Sequence, residues 1–164
     1  MREYPSAWTL RTGKRRHRMA LAALALFATV ANSAACEATP AASQGLVRQF
    51  YTTALVERQV RTGFERDVSP DFVEHKPDIA TSDRSGAIAF LEGLIAALPG
   101  ARWTVLRITG DADLVAVHAR FVPAEGAQPY IIADFFRIKD CRIVEHWDVV
   151  SGPPNSPVNP LPRF

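Results

Sequence analysis

Apolar residues recur at three- and four-residue spacing in the first half of the chain and alternate in the second, so helices are expected before strands. Leu46, Val47, Phe50, Ala54 and Leu55 predict an amphipathic helix that Ser43 can cap. Thr62-Gly63-Phe64-Glu65 has the spacing of a capping box, in which hydroxyl and carboxylate satisfy each other's orphan backbone donors, and predicts a short second helix ending before Pro70. Residues 71–82 read as a loop. Asp83 then precedes a third helix with Ile88, Leu91, Leu94, Ile95 and Leu98 on one face, stopped by Pro99-Gly100. Four strands follow, Arg102–Ile108, Leu114–Val122, Tyr130–Lys139 and Arg142–Val150, each rich in β-branched or aromatic residues and bounded by polar joins. Strands this close in sequence pair as an antiparallel meander. The expected fold is an α+β domain whose sheet curls around the helices into an open cone.

The join Asp140-Cys141 predicts a two-residue turn, which sets Ile138 opposite Ile143, Phe136 opposite Glu145 and Asp134 opposite Trp147. Cys141 stands where a type I′ turn prefers Gly, a cost of roughly 1 kcal/mol if its φ is positive. On that register one face carries Tyr130, Ile132, Asp134, Phe136, Ile138, Ile143, Glu145, Trp147 and Val149. Asp134 is the anomaly in this apolar stripe. It is either paired with Arg120 or Arg137, or turned outward by a register slip, or held in an apolar cavity where desolvation raises its pKa and suits it to proton transfer. His118, on the neighbouring strand, is the candidate to orient it or share its proton. Alternation alone leaves the direction of His118 open, because both faces of that strand are half apolar. His75 and His146 are weaker signals in isolation.

At 48% hydrophobic and 22% charged residues the chain is globular rather than disordered. The formal charge of +2 conceals an asymmetry, since residues 1–35 hold Arg2, Arg11, Lys14, Arg15, Arg16 and Arg18 against Glu3 alone. The remainder carries 13 basic and 16 acidic side chains, which argues against a nucleic-acid partner. The basic stretch, the 13-residue apolar run Met19 to Ala31 and the small residues after it have the layout of a secretory signal. That run is short of the roughly 17–25 residues of a membrane-spanning helix. Ser33-Ala34-Ala35-Cys36 resembles a bacterial lipoprotein cleavage site, with Ser33 where Leu is usual; lipid on Cys36 would be the only membrane contact. The expected organisation is a signal at 1–35, a linker at 36–42, the domain at 43–150 and a proline-rich extended tail at 151–164. The expected location is periplasmic or secreted. With Cys36 lipidated or lost, Cys141 remains as a lone, incidental thiol. No zinc-type spacing, phosphate loop or nucleophile elbow is present, so no metal is expected.

Phe72-Val73-Glu74-His75-Lys76-Pro77, Val117-His118-Ala119-Arg120, Ala133-Asp134-Phe135-Phe136-Arg137-Ile138 and above all Ile143-Val144-Glu145-His146-Trp147-Asp148-Val149 resemble the SnoaL-like polyketide cyclases of the nuclear transport factor 2-like superfamily. The resemblance runs from about Leu46 to Val150. It implies a cone with a deep apolar pocket, a homodimer and no cofactor. It also implies that Asp134 is the general acid/base of an intramolecular aldol closure, with His118 nearby. His75 matches the His of the family's His-Asn-Pro motif, with Lys76 in place of Asn. Phe136, Trp147, Tyr51 and His75 are the expected substrate contacts. The functional expectation is an acid/base enzyme acting on a small apolar carbonyl compound by aldol condensation, cyclisation or isomerisation. The alternative is an exported, non-catalytic small-molecule-binding protein, because this fold serves many functions.

Overall fold

The computed structural model describes residues 38–156, 158–159 and 161–164. The expected leader and the lipidation site at Cys36 lie outside the described residues. Helix α1 spans Pro40–Tyr51 and is capped by Thr39, whose side chain accepts from the Ala42 N–H, with Pro40 in the first turn. The expected cap, Ser43, is instead buried inside the helix, where its hydroxyl donates to the Ala112 carbonyl and ties α1 to the sheet. A π-helical turn, Thr52–Val56, follows directly. Helix α2 covers Val60–Asp67, so Thr62 lies within it and does not cap it. Burial of Val60 and Phe64 draws the helix start back from Thr62, and packing overrides the local signal. Gly63 permits the contact that follows, because a Cβ there would come within 2.9 Å of the Ala54 side chain. Helix α3, Arg84–Ala97, has the expected cap, with Asp83 accepting from the Gly86 N–H at 2.8 Å.

The expected loop after Pro70 is partly a strand. β1 covers Val68–Glu74 and runs parallel to the last strand at one edge of the sheet, which is therefore mixed rather than wholly antiparallel. Its alternation was hidden by Ser69-Pro70-Asp71. Pro70 is tolerated because β1 is an edge strand and its register is interrupted between Val68 and Val73. The other four strands are β2 (Arg102–Gly110), β3 (Leu114–Val122), β4 (Tyr130–Lys139) and β5 (Arg142–Ser151), and they form the expected antiparallel meander. The curved sheet has the order β1-β5-β4-β3-β2.

The β4–β5 turn has Asp140 at φ 49° and Cys141 at φ 55°, the paired positive angles of a type I′ turn. Cys141 is disulfide-bonded and not the lone thiol expected from sequence. Ile138 does face Ile143, but the register then slips: Arg137 faces Glu145, Phe136 faces His146, Phe135 faces Trp147 and Asp134 faces Asp148. Val144 is the extra residue of a bulge. Because side chains alternate with period two, this one residue exchanges the faces of everything after it on β5. His146 and Asp148 turn to the side of Asp134, and Glu145 and Trp147 turn away.

The concave side is filled by the helices' apolar residues. A run of edge-to-face rings, Phe136 to Phe50 at 5.9 Å, Phe50 to Phe64 at 5.0 Å and Phe64 to Phe72 at 6.1 Å, links β4 to α1, α2 and β1.

Candidate active site

The core is not completely filled. A cavity of about 310 Å³ opens between helices and sheet, walled by apolar side chains such as Leu55, Phe90, Leu94, Phe121 and Ile132. That is the volume of roughly ten water molecules at liquid density, at the small end of ligand pockets. At one end its polar groups are Tyr51, Lys76, Asp78, Asp134, His146 and Asp148, and Tyr130 and Trp103 also line it.

Four of the site's polar side chains form one hydrogen-bonded chain. The Tyr51 hydroxyl donates to Asp134 Oδ2 at 3.1 Å. His146 Nε2 lies 3.1 Å from Asp134 Oδ1, and His146 Nδ1 lies 2.9 Å from Glu74 Oε1. Each link has a local cause. Tyr51 ends α1 just before the π-helical turn, where the Glu57 N–H reaches back to the Thr52 carbonyl at 2.8 Å. Glu74 and His146 are lateral partners on the parallel strands β1 and β5. Asp134 and His146 share a face because of the bulge at Val144. The Phe136 ring stacks on the imidazole, with centroids 4.8 Å apart, and fixes its plane.

Burial alone would depress the His146 pKa. Hydrogen bonds to Asp134 and Glu74, and the charges of both, outweigh burial and hold it at about 9. His146 is thus an imidazolium at neutral pH, with both N–H groups donating to carboxylates. Tyr51 is pushed well above the usual phenol range by burial, then by the neighbouring Asp134 carboxylate, and keeps its proton. Asp134 accepts from both neighbours, as a carboxylate does, and retains further lone pairs for a proton from the cavity. Asp134 is only 6% exposed, in contact with this apolar hollow rather than bulk water.

A second pair lies alongside. Lys76 Nζ is 2.7 Å from Asp148 Oδ2 and 3.4 Å from Asp78. Burial opposes the charge on Lys76, but the hydrogen bond to Asp148 prevails and raises its pKa.

Of the residues expected in the site, Asp134, Tyr51 and Phe136 line this cavity. His118 does not join them. It is paired with Ala133 while Asp134 is paired with Val117, so the two point to opposite faces, and Arg107 donates to His118 Nδ1 at 3.0 Å on the outer surface. His75 and Trp147 are also outside. Their rings stack at 4.8 Å, and His75 Nε2 lies 2.9 Å from Glu145 Oε1. The His75 hydrogen bond, aided by Arg137, lowers the Glu145 pKa. In their place the structure supplies Glu74, Lys76, His146 and Asp148. The available sequence signal was the alternation Glu74-Lys76 and His146-Asp148, but nothing local marks Val144 as a bulge. Among the described residues no cluster of His, Cys, Asp and Glu is arranged to hold a metal ion.

Solved structures share this architecture. IdmH of Streptomyces antibioticus, described as a candidate polyketide cyclase, superposes with a TM-score of 0.55 at 23% identity, over 66% of this chain and 91% of its own. AclR of Streptomyces galilaeus, described as a candidate hydroxylase, gives 0.56 at 23% identity over 68% and 90%. A candidate isomerase of the SnoaL-like family from Agrobacterium tumefaciens gives 0.58 at 14% identity over 68% and 99%. At these identities the likeness is one of fold, and the three descriptions differ in chemistry. No curated protein matches the chain in sequence. The family model for the SnoaL-like domain, however, matches residues 47–146, most of the chain and nearly all of the elements that build the cavity. The chain belongs to the SnoaL-like domain family.

Proposed function

We propose that the protein is an acid/base enzyme of the cyclase or isomerase type, acting on a small apolar carbonyl compound bound in the cavity. The observation that carries this reading is the carboxylate of Asp134, presented to an apolar hollow and held from behind by Tyr51 and by a His146–Glu74 ion pair. The ion pair is neutral overall, so it orients Asp134 without adding net charge. Asp134 removes a proton from the carbon next to the carbonyl. The C–H electron pair passes into the carbonyl, giving an enolate and a protonated Asp134. In a cyclisation the enolate carbon attacks a second carbonyl, a C–C bond forms, and the new alkoxide recovers the proton from Asp134. In an isomerisation the proton returns to a different carbon. Membership of the SnoaL-like family, with neighbours described as cyclases and an isomerase, supports this type of reaction. The secretory-signal layout of the sequence at residues 1–35 supports a site of action outside the cytoplasm.

Proton exchange tests the reading without knowledge of the natural substrate. One- and two-ring ketones and β-keto esters, 2-tetralone among them, are incubated in D₂O and deuterium uptake next to the carbonyl is followed by NMR. Accelerated exchange of at least one cavity-binding compound is expected. Tight binding with exchange no faster than buffer would identify a carrier instead.

The face assignment has its own check. His118→Ala is expected to change the exchange rate by less than about twofold, the ordinary scale of an exposed substitution. A loss of two orders of magnitude would mean that His118 reaches the site after all.

A further inference from the structure

We propose that Lys76 receives the carbonyl oxygen of the substrate and so decides which carbon Asp134 deprotonates. This rests on the acid/base reading and adds to it the group that binds the oxygen.

Donor accounting around Asp134 leads to it. The Tyr51 proton is given to Asp134. Both N–H groups of His146 are given to Glu74 and Asp134. Glu74, Asp148 and Asp134 are acceptors. Lys76 has three N–H donors, of which Asp148 and Asp78 take two at 2.7 and 3.4 Å. Lys76 lines the cavity, and its ammonium lies 6.0 Å from the centroid of the Phe90 ring on the cavity wall. Other donors on the lining are distant: Tyr130 is four residues from Asp134 along β4, roughly 13 Å, and Trp103 lies at that same end beside Phe121.

Position supports the role as well. Asp148 faces Asp134 directly across the β4–β5 pair, so the ammonium that Asp148 anchors flanks the same stretch of cavity as the base. A base and a fixed cation bordering the same stretch of one hollow suit a C–H beside a C=O. When Asp134 takes the proton, charge builds on the carbonyl oxygen, and an ammonium already in place stabilises it without reorganisation. Lys76 stays protonated and acts by charge and hydrogen bonding. The ligand class that follows is a one- or two-ring ketone or 1,3-dicarbonyl with one enolisable position directed at Asp134.

Infrared spectroscopy of bound 2-tetralone, labelled with ¹³C at the carbonyl, tests this directly. The carbonyl band is expected at lower frequency in the wild-type cavity than in alkane solvent. It should return toward the alkane position in the double variant Lys76→Met/Asp148→Asn, which leaves no buried carboxylate without its partner, and should shift only in part in Lys76→Arg. Exchange is read in the same samples and should fall about 10²–10³-fold in the double variant, with kcat falling by more than KM rises because the bond to the oxygen strengthens as charge builds there. The inference is overturned by a wild-type band at the alkane position, by a lowered band that persists in the double variant, or by exclusion of the ketone from the wild-type cavity. A Lys76-dependent shift without accelerated exchange would sink the acid/base reading alone and leave the oxygen-binding role standing.

Discussion

Asp134→Asn is expected to lower ketone proton exchange by about 10²–10⁴-fold, the range that a positioned general base contributes. The substitution keeps shape and removes the cavity carboxylate that the Tyr51 hydroxyl and the His146 imidazolium hold in place. The loss should fall on kcat and on kcat/KM alike, because the base acts in the transition state and the apolar walls that bind the ketone are untouched. The amide must also turn one NH₂ donor toward either Tyr51 or His146, both of which already donate there, so modest destabilisation accompanies the change. Binding of the same ketone, measured in parallel, separates lost chemistry from a collapsed cavity. Retention of wild-type exchange by an Asn variant that binds the ketone normally would remove Asp134 as the base.

Replacing His146 has the largest expected effect on stability. His146→Leu fills a similar volume but strands Glu74 and Asp134, whose side chains are 4% and 9% exposed, as buried carboxylates without their shared cation. Removing one partner of such a pair costs about 3–5 kcal/mol, read as a fall in the urea midpoint at neutral pH. The raised pKa adds a dependence of definite sign. A group whose pKa rises from 6.5 to about 9 on folding stabilises the native state fully below the lower value, and that contribution disappears as pH rises through the upper one. About 3 kcal/mol of wild-type stability should therefore be lost between pH 6.5 and 9.5, on the scale of 1.36 kcal/mol per pKa unit. The Leu variant should lack that loss. Equal pH slopes for the two proteins across this window would show that no imidazolium is held there.

The readable and unreadable parts of this site divide along a physical line. Asp134 stood out because a carboxylate in an apolar stripe is conspicuous whatever its partners, and Phe136 two residues on shares its face by the period of the strand. Asp83, Pro99 and the four strands of the meander were legible for the same reason, since caps, breakers and alternation act over a few residues. β1 was not, because Pro70 breaks its alternation and its pairing partner lies some seventy residues further on. Glu74 and Lys76, which β1 and the residues after it carry, were lost with it. Reading His118 as the partner of Asp134 failed for a different reason: the half-apolar faces of β3 offered no basis for choosing its direction.

What the amino-acid pattern determined by itself is the α+β order of elements, the tight turn at Asp140-Cys141 and an acid set in an apolar stripe; its burial in the cavity came from the fold. What only the folded sheet decided is which imidazole meets that acid. The bulge at Val144 rotates His146 inward and Trp147 outward. No local preference of Val144 specifies this; it follows from how β5 packs between β4 and β1. Because strand faces alternate with every residue, that single non-local insertion exchanges Trp147 and Glu145 for His146 and Asp148 on the side of Asp134.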